Sequence, residues 1–226
     1  MDAPEQLRDR LAQLEEEHAT LRSELAAFQS DYLRMVGVVD LQVQELEAKI
    51  LAIVAVRTGA VEDAAAAEAA EQRFRETTTA MSAIPAPSGP PPDDDLKTLF
   101  RDAAKRMHPD LVADDAGRGH AEAFMKRLNQ AYKAGDAEGI GNLVRQWETS
   151  PYATARPVGT GASPALVAAI AHAEARLTEA RDSDLARLME QAFQASMNGR
   201  DLLLELRQDA ELALQQARAK MASLDT

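Results

Sequence analysis

The sequence contains no cysteine, which excludes disulfides, thiolate nucleophiles and cysteine-based metal centres together. Aromatic residues are only 4% of the 226 and alanine is abundant, so bulky core-forming side chains are scarce. That composition favours long helices packed side by side. No segment reads as alternating β-branched residues, so an all-α fold is expected. The longest apolar run is only Ile50 to Val56, short of the roughly 20 residues that a membrane helix needs. The N-terminus is acidic and polar and has no apolar signal core. A cytoplasmic protein without a membrane partner is expected on these grounds. An overall excess of basic charge is missing as well. The formal net charge of −12 argues against general nucleic-acid binding, which needs a basic surface to displace counterions.

The acidity is uneven. Between Leu96 and Glu148 there are nine Lys/Arg against eight Asp/Glu, so nearly all the excess negative charge lies elsewhere. A locally basic face on an acidic chain points to one chosen acidic partner.

Inside that stretch, Leu96, Leu99, Phe100, Ala103 and Met107 recur on one helical face. Lys97, Arg101 and Lys105 form a separate basic stripe at i, i+4 and i+8. Asp94 or Asp95 is placed to cap the helix and suits its positive end. Pro109 biases His108 away from helical geometry, so the helix should end at about Met107. A second helical segment, from His120 to Gly135, carries Ala121, Phe124, Met125, Leu128 and Tyr132 on one face, with Gly135 as a C′ residue. The two stripes should pack as an antiparallel pair, leaving His108-Pro109-Asp110 exposed at the loop mouth beside the basic stripe. A further helix, capped by Asp136, would use Ile140, Leu143, Val144 and Trp147 as its apolar face, with Trp147 pinning it to the pair. Gly139 and Gly141 each cost it about 1 kcal/mol against alanine.

A basic amphipathic helix, then His-Pro-Asp, then Phe124-x-x-x-Leu128-Asn129-x-Ala131-Tyr132 resembles the J-domain family, co-chaperones of DnaK-type ATPase chaperones. The resemblance covers roughly fifty residues. It implies that His108, Pro109 and Asp110, with Lys97, Arg101, Lys105 and Arg106, dock on a DnaK-type chaperone and stimulate its ATP hydrolysis. Two departures stand out. The family's short first helix with Tyr-x-x-Leu is replaced by Ser-Gly-Pro-Pro-Pro-Asp-Asp-Asp, so another part of the chain is expected to cover that side. Leu111 stands where a lysine commonly follows the tripeptide.

The flanks read as helices. From Leu7 to Val39 a 4-3 spacing marks a coiled-coil seam, with His18 as its polar position, and a stutter follows toward Ile53. One helix from Glu5 to Val56 would be about 80 Å long, and a seam of that length needs a partner. Either a second copy, giving a homodimer, or another helix of this chain would supply it. Thr58-Gly59 should end it, and an alanine-rich helix follows to about Glu76, anchored by Phe74. The organisation expected is therefore coiled-coil helices at 1–76, a proline-rich linker at 77–93, the J-like hairpin at 94–148, a second linker at 149–163, and a helical hairpin at 164–226. That last element should start with Ser163 as N-cap before Pro164 and turn at Asn198-Gly199. The coiled-coil regions would select clients or location, or assemble copies.

The histidines, His18, His108, His120 and His172, stand at no ligand spacing, so neither a metal, a cofactor nor catalysis in this chain is expected. Gly139-x-Gly141 lacks the rest of any phosphate loop. Asn129 is expected to bond across helices and Tyr132 to be a core aromatic with a wet hydroxyl. A second functional reading treats the hairpin as a structural brace in a coiled-coil scaffold or adaptor.

Overall fold

A computed structural model describes residues 3–82, 92–112, 114–153 and 164–224, and every regular element among them is helical. Helix α1 spans Ala3–Tyr32 and passes through a π-helical turn, Leu33–Gly37, into α2, Val38–Thr58. Helix α3 covers Val61–Ser82, α4 Asp94–Met107, α5 Asp115–Lys133 and α6 Ala137–Glu148. Helices α7, α8 and α9 cover Pro164–Arg181, Asp184–Met197 and Leu202–Leu224. The protein is all-α. The wide π turn lies next to the register step of the seam, where extra residues must be taken up within one turn.

The chain divides into two units, one of 1–26 with 87–187, the other of 27–86 with 188–226. This differs from the modules expected at 1–76, 94–148 and 164–226, and the physical reason is the seam. Leu11 and Leu14 of α1 are buried with Leu166, Ala169, Ala173 and Leu177 of α7. In the second unit Val36 and Val39 are buried with Ala210 and Leu214 of α9. These parts of the seam are thus covered by helices of the same chain.

The first unit is built around α4, α5 and α6. Phe100, Ala103, Met107, Ala121, Leu128, Tyr132 and Ile140 are all fully or almost fully buried in one cluster. Ala12 and Ala19 of α1 belong to the same cluster. Another part of the chain, α1, thus covers part of the hairpin's core. Local chemistry sets the helix ends. Helix α4 stops at Met107 because His108 is extended (φ −66°, ψ 133°) ahead of Pro109. Its N-cap is Asp93, which accepts from the Leu96 N–H at 2.8 Å, so Asp94 and Asp95 lie in the first turn instead of capping it. Gly135 adopts φ 69° and donates to the Tyr132 carbonyl, while the Asp136 N–H donates to that of Ala131; this is a Schellman closure. Asp136 then caps α6 by accepting from Gly139 at 2.7 Å. A Cβ on Gly139 would lie 2.1 Å from the Asp136 carboxylate, which accounts for a glycine there despite its helix penalty.

Helix α5 begins five residues before the expected His120, since Asp114 caps it through the Gly117 N–H at 2.7 Å. Gly117 is buried, and a Cβ there would sit 2.4 Å from Val112 Cγ1 and 2.9 Å from Tyr152 Cδ1. Val112 is branched and buried, so it cannot swing clear. Gly117→Ala is expected to cost about 1–3 kcal/mol by overpacking, despite alanine's better helix propensity. A denaturant midpoint equal to or above that of the parent would contradict it.

In the second unit α3 continues through Ser82, six residues beyond the expected end at Glu76. Ala70 is its buried contact, and Phe74 is half-buried. Residues 164–224 form three helices instead of a two-helix hairpin. The unexpected break falls at Asp182-Ser183, where Ser183 Oγ accepts from the Ala186 N–H at 3.2 Å. The turn at Asn198-Gly199 is present, with Gly199 at φ 71°. Ser163 and the prolines at 85, 87, 90, 91 and 157 lie outside the described residues.

Candidate functional site

Pro109 and Asp110 lie in a single 3-10 turn, Pro109–Leu111, and His108 is the extended residue that links it to α4. The three members of the tripeptide have different fates. Asp110 is exposed and Pro109 partly so, but His108 is only 7% exposed. The expectation that the whole tripeptide lies open is therefore wrong for His108. Its Nδ1 accepts from the Asp110 backbone N–H at 3.2 Å. That fixes the tautomer by bonding: Nδ1 is the acceptor, so in the neutral ring Nε2 carries the proton. Nε2 faces Glu15 Oε1 of α1 at 3.5 Å, and the same oxygen accepts from Arg176 Nη2 of α7. Burial by itself would raise the Glu15 carboxyl. The His108 hydrogen bond and the Arg176 charge outweigh that and hold it below the usual carboxylate value.

The basic residues are also unequal. Lys105 Nζ lies 2.5 Å from Asp9 and 3.6 Å from Glu5, both on α1. The Asp9 hydrogen bond, opposed by desolvation, raises its pKa with help from both carboxylate charges. Arg106 pairs with Glu148 at the end of α6 at 2.5 Å. Lys97 is 3.5 Å from Asp94 on its own helix. Arg101 is exposed and bonds only to Thr98 among these neighbours, at 3.2 Å. Hence Arg101 and Asp110 are exposed and Pro109 partly so, while Lys97 is no more open than Lys105, each side chain being 32% exposed. Lys105 and His108 are engaged by α1.

No family model, curated protein or solved structure matches the chain.

The supporting residues also depart from expectation in part. Asn129 does not bridge helices; its Nδ2 donates to the Met125 carbonyl one turn back, at 2.9 Å. The Tyr132 hydroxyl is not wet but lies 2.6 Å from Thr20 Oγ1. Thr20 in turn donates to Glu16 at 2.8 Å, so Tyr132 must be the donor to Thr20. Burial, partly offset by the Thr20 bond, pushes the phenol up to about 12. A raised phenol favours folding while protonated. The contribution is complete below the ordinary value near 10 and is lost as pH rises through about 12. Tyr132 should therefore ionise late in an ultraviolet titration, and Tyr132→Phe should remove that late step at a cost of about 1 kcal/mol. Complete ionisation of all tyrosines near the ordinary value would contradict the buried hydroxyl chain.

Trp147 is buried and meets Phe124 edge-on at 5.4 Å. His120 joins the same group, 4.9 Å from Phe124 and 5.1 Å from Tyr152. Tyr152 falls inside the expected linker 149–163, yet it packs on the core. Its aromatic character was the available signal. Glu15, Asp9 and Arg176 carried none, because their role arises from pairing across sequence distances that periodicity does not register. Among the described residues, no group of acidic or histidine side chains is arranged to hold a metal ion, and no helix is long and apolar enough to cross a membrane.

Proposed function

We propose that residues 94–148 act as a J-domain-type docking module for a DnaK-type ATPase chaperone, raising that partner's rate of ATP hydrolysis. The observation that carries this reading is the placement of Asp110. It sits in a turn that abruptly ends a basic helix, with 41% of its side chain exposed although α7 packs beside that turn. A charged side chain on a turn directly after the helix, with Arg101 exposed on that helix, is a localised charged binding feature. Stimulation would follow from preferring the hydrolysis-competent state of the chaperone over its resting state. The remaining helices would carry the client or set location.

The test is steady-state ATP turnover by a purified DnaK-type chaperone with the full chain added. Stimulation by the parent and its loss in Asp110→Asn support the proposal. Equal effects of the two proteins would remove it. The second reading, a structural brace within a scaffold, is favoured by one observation: His108 is buried against Glu15 and so has a stabilising role of its own.

A further inference from the structure

Resting on that docking reading, we infer that the first part of α1 is a built-in competitor for the docking face, so that the chain is autoinhibited. The basic stripe calls for an acidic partner, and an acidic helix of the same chain already engages one end of it. Asp9 and Glu5 take Lys105. Nearly two turns further along α1, Glu15 takes the Nε2 side of His108. Glu5, Asp9 and Glu15 thus engage the last turn of α4 and the residue that follows it, while Arg101 and Asp110 are exposed. A partner that needs the whole stripe and the tripeptide finds only part of it.

The cover is held from behind. Arg176 of α7 grips the Glu15 carboxylate, Arg10 pairs with Glu174 at 3.2 Å, and Arg181 reaches Glu17 at 3.3 Å. These pairs hold α1 against α7, and α7 itself packs beside the Pro109–Leu111 turn. Most of the ion pairs are exposed, and exposed pairs are individually weak and screened by salt. The contact is accordingly of a kind that a competing acidic surface can displace. Ala12 and Ala19 tie α1 to the core and bury little area each; Thr20, bonded to Tyr132, is the stronger tie that opening must break, while Leu11 and Leu14 hold α1 to α7. Such a cover lowers the apparent affinity for the partner by the fraction of molecules that are open.

The experiment compares the full chain, the variant Glu5→Gln/Asp9→Asn, and Glu15→Gln. The probe is a purified DnaK-type chaperone with saturating ATP, and the readout is the concentration of chain giving half-maximal stimulation. Glu5 and Asp9 side chains are about half exposed, so their replacement does not threaten the fold; helicity by circular dichroism checks both variants. Each variant should lower the half-maximal concentration by at least roughly fivefold, the lower end of ordinary coupling between sites, with the plateau unchanged. Adding Asp110→Asn to either should abolish the stimulation. In the parent, hydrogen exchange of the α1 amides before Ala26 should accelerate when the ATP-bound chaperone is added. Stimulation with the same half-maximal concentration in all three proteins overturns the autoinhibition and leaves the docking reading standing. So does a gain in potency without any change in α1 exchange. Absence of stimulation by parent and variants alike removes the docking reading and the autoinhibition with it.

Discussion

Phe100→Ala is expected to destabilise the first unit by about 3–5 kcal/mol. Phe100 is completely buried, with its ring 4.6 Å from that of Tyr132. Its neighbours in the cluster include Ala12, Ala103, Ala104 and Ala121. Alanine has no rotamer with which to collapse into a void, so little of the lost volume is recovered and the cost falls toward the upper end. Domains are stable by only about 5–15 kcal/mol, so the change removes a large share of the total. Urea unfolding followed by circular dichroism, with Trp147 fluorescence reporting on the first unit, measures it. A loss under about 1 kcal/mol would mean that the cluster is not the core of this unit.

Arg176→Ala should have the next largest effect, for an electrostatic reason. The Glu15 side chain is only 6% exposed and shares one oxygen between Arg176 and His108. Removing one partner of a buried pair leaves an inadequately compensated charge, which costs about 3–5 kcal/mol when both groups are buried. The Arg176 side chain is 36% exposed, so solvent screening brings the expectation down to about 2 kcal/mol. The pH dependence has a definite sign. Burial raises the Glu15 carboxyl, but the His108 and Arg176 contacts win and its folded value lies below the ordinary one. A depressed carboxyl contributes stability above the unfolded value, about 4.3, and loses it as pH falls through the folded value. The gap between parent and Arg176→Ala should therefore narrow as the solution is acidified. A gap independent of pH would show that Arg176 acts through packing alone.

Much of the architecture was legible because helices announce themselves locally. The stripe Leu96-Phe100-Ala103-Met107 and the stop at Pro109 needed only spacing and backbone sterics, and α4 ends where those rules place it. Gly135 and Asp136 likewise mark the end of α5 and the start of α6 by their own chemistry. The start of α5 was hidden, because Gly117 and Gly119 read as loop residues while the information lay in the cap Asp114 and the crowding around Gly117. Ser183 was hidden for a related reason: a single serine between two good helical stretches outweighs neither. The seam of α1 was visible, but its partner was not, since an apolar stripe does not encode whether the matching stripe lies in α7 or on another molecule.

The candidate site divides in the same way. The turn, the basic stripe and the exposed Asp110 follow from residues adjacent in sequence. The burial of His108 follows from Glu15, 93 residues away, and that of Glu15 from Arg176, 161 residues further on. No local pattern foretells such a triad. Charge bookkeeping gave a hint, since the basic segment lies in an otherwise acidic chain.

The docking proposal makes its most direct commitment in a binding titration against a purified DnaK-type chaperone, done once with ATP and once with ADP bound. Fluorescence anisotropy of the labelled full chain is a suitable readout. The expected result is binding to the ATP state that is tighter than to the ADP state, weakened by salt, and abolished by Asp110→Asn in a protein of unchanged helicity. Equal binding to the two states, or undiminished binding by Asp110→Asn, would contradict it and leave the hairpin as a structural brace.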